Sequence, residues 1–131
     1  MSDVKQAREL VRAAGRDISA LQGMSDPDVF ADEIFGLHTQ QAAEKLLKAW
    51  LALLGEVYPL THNLELLISI LQERGVATEG FMPLVEYTPY AGRLRYEAGH
   101  PSDQPLNRTI ALARIEALYD QVFEQLPPSN E

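Results

Sequence analysis

Residues Ile34 to Leu54 read IFGLHTQQAAEKLLKAWLALL, and from Ala42 onward the only charged or amide side chains among them are Glu44, Lys45 and Lys48. Wound as a helix, this stretch has one narrow wet strip and is apolar around most of its circumference. Such a helix belongs in the middle of a helical assembly. Upstream of it, Val4, Ala7, Val11, Ala14, Ile18 and Leu21 recur at alternating spacings of three and four, the seam of an antiparallel bundle. Leu10 widens that seam, and the helix is expected over residues 3–21, with Gly23 as its stop. Ser25-Asp26-Pro27-Asp28 reads as a start signal for the second helix, with Asp26 as N-cap and Pro27 as first helical residue. That helix is expected to run to about Leu54, before Gly55.

Downstream, a third helix fits residues 61–74, with Thr61 as N-cap, Leu64, Leu67 and Leu71 as its apolar face, and Gly75 as terminator. Between residues 78 and 99, Pro83 and Pro89 permit only short or kinked pieces, read as two helical stretches. The last helix begins near Pro105, carries Leu112, Ile115, Tyr119, Val122 and Leu126 on one face, and stops at Pro127-Pro128. No segment alternates with period two. The class is therefore all-α, a four-helix up-and-down bundle with a short extra helical segment, in a single domain over residues 1–131 with its core at about 3–126. Residues 34–54 need cover on a second side. A homodimer is the simplest source of that cover, and the kinked 78–99 segment is the alternative within one chain.

The bulk numbers exclude several classes. A net charge of -8, from 19 acidic and 11 basic side chains, argues against a non-specific nucleic-acid coat protein, although it leaves room for one local basic site. With no cysteine there is neither a disulfide nor a thiolate metal site. The absence of paired-His or clustered-carboxylate spacings gives no metal site to propose, and no cofactor is expected. The opening residues lack the apolar run of a signal peptide, and every apolar stretch is broken well before the ~18 residues of a membrane span. The expectation is a cytoplasmic protein without a membrane segment.

On the second helix His38, Gln41, Lys45 and Lys48 lie along one face, with Gln40 and Glu44 beside it. Such a strip can bind an anion or can simply meet solvent. For Glu44 and Lys48 an i,i+4 ion pair is the expected role, and for His38 a capped or hydrogen-bonded side chain rather than a catalytic one. Trp50 and Tyr58 are read as core and interface residues rather than platforms for stacking bases.

In these features the chain resembles the HEPN domain proteins. The resemblance rests on His38-x-Gln40-Gln41-Ala42-Ala43-Glu44-Lys45-x-x-Lys48-Ala49, on Thr61-His62-Asn63-Leu64, on the Tyr90 to Tyr96 segment with its Arg95-Tyr96 pair, and on the closing amphipathic helix. It spans residues 17–126. It implies an up-and-down four-helix bundle with a shorter extra helix, usually a homodimer. For many bacterial members it also implies an operon shared with a small nucleotidyltransferase, the two forming a toxin-antitoxin pair.

Active members of the wider group resemble one another as metal-independent ribonucleases with an Arg, four to six residues, then His. Arg95-Tyr-Glu-Ala-Gly-His100 satisfies that pattern, and so does Arg93 with His100. The residue types suit the chemistry. When a 2'-hydroxyl attacks the adjacent phosphorus, histidine can move the proton near neutral pH, and a guanidinium offers two parallel donors to the phosphate oxygens. Five positions of continuous helix rotate by about 500°, so the helix is expected to end between Arg95 and His100, where Gly99 and Pro101 bracket the histidine. Arg95 is the expected phosphate clamp and His100 the general base or acid. Arg93, Tyr96, Lys45, Lys48, Gln41 and His38 are the candidate nucleotide or RNA contacts. Family members paired with a nucleotidyltransferase commonly carry Tyr two residues after the His, where the partner attaches a nucleotide; this chain has Ser102 there, which leaves Tyr90 or Tyr96 as acceptor. The alternative is a non-catalytic nucleotide-binding adaptor that partners a separate nucleotidyltransferase, with Lys45, Lys48, Arg93 and Arg95 as its anion site.

Overall fold

The computed structural model of the protein describes residues 2–92 and 105–128. Among the described residues the chain is all-α: α1 (Val4–Gln22), α2 (Asp32–Leu53), α3 (Leu64–Glu73), a 3-10 helix η1 (Met82–Ala91) and α4 (Arg108–Gln125). No helix among them is long and apolar enough to cross a membrane.

The apolar seam forms α1 as its spacing dictates. Ala7, Val11, Ala14, Ile18 and Leu21 are buried, and Asp3 caps the first turn by accepting from the backbone of Gln6. The helix α2 starts later than its sequence signal. Asp26 does nucleate a turn, accepting from the backbone N–H of Asp28 through its side chain and from those of Val29 and Phe30 through its carbonyl. Ala31 then leaves helical geometry at ψ 151°, and α2 begins at Asp32. The reason lies on α4, where Arg108 donates to the carbonyls of Met24 and Phe30 and to the Asp32 carboxylate, pinning this connection in a non-helical shape. The guanidinium also lies 5.0 Å from the centre of the Phe35 ring.

The ends of α2 and α3 follow the glycine signals. Gly55 and Gly75 take φ of 79° and 85°, and the residues after them, Glu56 and Val76, donate back to the carbonyls of Leu51 and Leu71. The α3 N-cap is Asn63, not Thr61: its side chain accepts from Leu66, while the Thr61 hydroxyl accepts from the Asn63 backbone. Of the segment 78–99, expected to hold two short helical stretches, the described part holds the helix η1, in which Pro83 and Pro89 remove donors that an α-helix would need; residues 93–99 lie outside the described residues. In α4 the cap is Asn107 rather than a start at Pro105, and the buried line is Ala111, Ile115, Leu118 and Val122; Leu112, Tyr119 and Leu126 pack on its flank.

Every other element packs on α2. Its burial is thus supplied inside one chain by α1, α3, α4 and η1, and the ground for inferring a dimer from its apolar circumference falls away. Trp50, 7 % exposed, meets Phe81 at 5.4 Å between ring centres, a core contact. Helices η1 and α2 meet tightly at Gly36, where an added Cβ would lie 2.3 Å from the Tyr90 ring. Only glycine lets η1 approach α2 so nearly.

Candidate functional site

The wet strip of α2 is occupied by two carboxylate-centred clusters. In the first, Asp17 of α1 is 8 % exposed, lies 2.6 Å from Lys45 Nζ and accepts from His38 Nδ1 at 3.1 Å. In the second, Glu44 is 7 % exposed and accepts from Lys48 Nζ at 2.8 Å, Gln40 Nε2 at 3.0 Å and His62 Nδ1 at 2.8 Å. An ionised carboxylate only accepts, so each imidazole carries its proton on Nδ1 and turns Nε2 away from the acid. Gln40, fully buried, also donates to the carbonyl of His62 and accepts from Gln41 Nε2 at 2.7 Å, which joins the candidate Gln41 to the second cluster. Lys48 lies 5.6 Å from the centre of the Tyr58 ring, whose hydroxyl accepts from Gln6. Among the described residues no buried side-chain polar atom lacks a partner.

Charge balance follows from these contacts. Burial pushes the Glu44 carboxyl up, but the bonds from Lys48, Gln40 and His62 together outweigh it and hold the acid below its ordinary value of 4.5. Each lysine of the strip is matched by a carboxylate of the same chain, so neither offers a bare positive charge to an incoming anion. The expected Glu44–Lys48 pair and the expected hydrogen bond of His38 are both present. Asp17 and His62 were not among the candidates. Asp17 was open to detection, since it falls three residues after Ala14 and four before Leu21, on the seam itself. His62 reaches Glu44 only through the fold of the α2–α3 link, which no periodicity encodes.

A second feature lies between η1 and the start of α4, a cavity of about 310 Å³ whose walls include Tyr87, Tyr90, Asn107, Ile110 and Arg114. Arg114 Nη1 donates to Glu86 at 2.7 Å and to the Tyr87 hydroxyl at 3.0 Å. Burial raises the pKa of both tyrosines; Arg114 opposes the rise at Tyr87, whereas Asp32, Glu33 and Glu86 add to it at Tyr90. Among the described residues no group of three or more His, Asp or Glu is placed to hold a metal ion. Arg93, Arg95, Tyr96, His100 and Ser102 lie outside the described residues. In sequence, Tyr90 and Pro105 of the cavity wall bracket that segment.

No curated protein and no solved structure matches the chain. The family model of the HEPN domain matches residues 7–124, from the first buried turn of α1 almost to the end of α4, and takes in both carboxylate clusters and the η1–α4 region. With that match over nearly its whole length, the chain belongs to the HEPN domain family.

Proposed function

We propose that this HEPN domain protein is a metal-independent ribonuclease, the toxin subunit of a toxin-antitoxin pair with a nucleotidyltransferase, and that it acts as a homodimer. The reading is carried by the spacing of Arg95 and His100 in a chain of this family. Arg95 clamps the scissile phosphate through its two parallel donors, and His100 moves the proton of the attacking 2'-hydroxyl or of the leaving oxygen. Support comes from the strip on α2: with Lys45 held by Asp17 and Lys48 by Glu44, the strip offers no bare positive charge, and the reading gives phosphate recognition to Arg93 and Arg95. The same contacts weigh against the adaptor reading, whose anion site draws on those lysines. If the partner attaches a nucleotide to a tyrosine, Tyr90 is a poor nucleophile, because it is packed on Gly36 and its phenol is held protonated by burial and three nearby acids.

Purified wild type and His100→Ala, incubated with total RNA in EDTA, test the reading. The expected result is chelator-resistant cleavage by wild type that disappears in the variant. Intact RNA with both proteins would sink the ribonuclease and leave the nucleotide-binding partner of a transferase as the better account.

A further inference from the structure

The outer faces of α1 and α4 carry two rows of opposite charge. Arg8, Arg12 and Arg16 stand four residues apart on α1, and Glu116, Asp120 and Glu124 stand four apart on α4. Like charges at that spacing lie one above another and disfavour their own helix. Arg12, Arg16, Asp120 and Glu124 are all exposed, and among the described residues none of them makes an ion pair.

Between α1 and α4 runs an open groove of about 510 Å³, with Ile18 and Tyr119 in its walls. Gly15 faces Tyr119 across it, and Phe123, one turn further along α4, is 55 % exposed and stacks on Tyr119 at 5.8 Å between ring centres. The two helices are antiparallel: Gln22 near the end of α1 donates to Glu116, and Arg8 near its start donates to the carbonyl of Pro127 just beyond α4. Arg12 and Arg16 are therefore at the heights of Glu124 and Asp120, on the neighbouring helix.

We propose that this face is where two copies of the chain pair, each copy's arginine row lying over the other's acidic row, with Phe123 buried between them. A two-fold axis in the contact plane and parallel to the groove carries α1 of one copy over α4 of the other and keeps every residue at its own height. Arg12 and Arg16 then meet the acids they cannot reach within their own chain. An axis across the helices would instead stack arginine on arginine. The pairing also answers the net charge of -8, which repels two copies in general, because this face is locally balanced. The inference rests on the dimeric reading above and gives it a surface.

Sedimentation equilibrium on four samples decides it: wild type, Arg12→Glu/Arg16→Glu, Asp120→Arg/Glu124→Arg, and an equal mixture of the two variants. All four changed positions are exposed, and circular dichroism checks that each variant is folded. Wild type is expected at twice 14.6 kDa, with each variant weakened in self-association by roughly 100-fold or more. The mixture is expected to recover a dimer, because at the four changed positions one variant then presents only acids and the other only arginines. A wild type that stays at 14.6 kDa at every concentration overturns the dimeric reading and this surface together. A wild-type dimer that both variants retain, or two monomeric variants that fail to combine, overturns the surface and leaves the dimer standing.

Discussion

Glu44 concentrates the chemistry of the central helix in one side chain. Burial disfavours its charge, three donors favour it, and the donors win, which leaves its folded pKa below the ordinary 4.5. A carboxylate lowered on folding adds stability that is complete above the unfolded value and is lost as pH falls through the folded one. Glu44→Gln removes that charge while the Lys48 side chain, 11 % exposed, keeps its own. Stripping one member of a buried pair costs about 3 kcal/mol, since the other charge is left without compensation. Urea unfolding at pH 7 should show that loss, and the gap between wild type and variant should narrow as pH drops below 4.5. Equal midpoints at neutral pH, or a gap that persists undiminished in acid, would mean that Glu44 is not the charged centre of the cluster.

At the scale of elements, the fit of η1 onto α2 depends on one missing methyl. Gly36 lies within α2, where alanine is ordinarily the better helix former by about 1 kcal/mol. Here its Cβ would fall 2.3 Å from the Tyr90 ring, so Gly36→Ala should destabilise by about 2 kcal/mol through overpacking. With Tyr90→Ala the obstacle is gone and the sign should reverse, Gly36→Ala then stabilising by roughly 0.5–1 kcal/mol. Thermal unfolding of the four proteins of this cycle measures both; a stabilising Gly36→Ala in the wild-type background would refute the close approach. The same contacts explain what the sequence disclosed and what it withheld. The α1 seam, the two glycine stops and the all-α class follow from local periodicity and backbone geometry, and they were legible. The start of α2 was not, because Asp26 is a sound N-cap whose helix is interrupted by Arg108, distant in sequence. Thr61 lost its cap to Asn63 for a related reason: His62 is bound to Glu44 and Gln40, which holds the chain non-helical two residues further. Of the candidate site, the spacing of Lys45 and Lys48 on one strip was readable, but their neutralisation was only half so. Glu44 is four residues from Lys48, whereas Asp17 comes from another helix.

For the molecule as a whole, the question is where an acidic protein keeps positive charge for a phosphate. Lys45 and Lys48 are matched by Asp17 and Glu44, Arg108 by Asp32, and Arg114 by Glu86. If two copies pair through α1 and α4, Arg12 and Arg16 are engaged as well. On the ribonuclease reading proposed above, Arg93 and Arg95 carry the contact with RNA, and two phosphate contacts would make binding to a single strand fall with salt at a log–log slope of roughly -1.4. Fluorescence anisotropy with a labelled single-stranded RNA and His100→Ala reads that slope without cleavage. Arg93→Gln should flatten it by about 0.7, and Lys45→Gln should leave it unchanged. A slope near -3, or one that responds to Lys45→Gln, would place RNA across the strip of α2 instead, with the phosphates displacing Asp17 from its lysine.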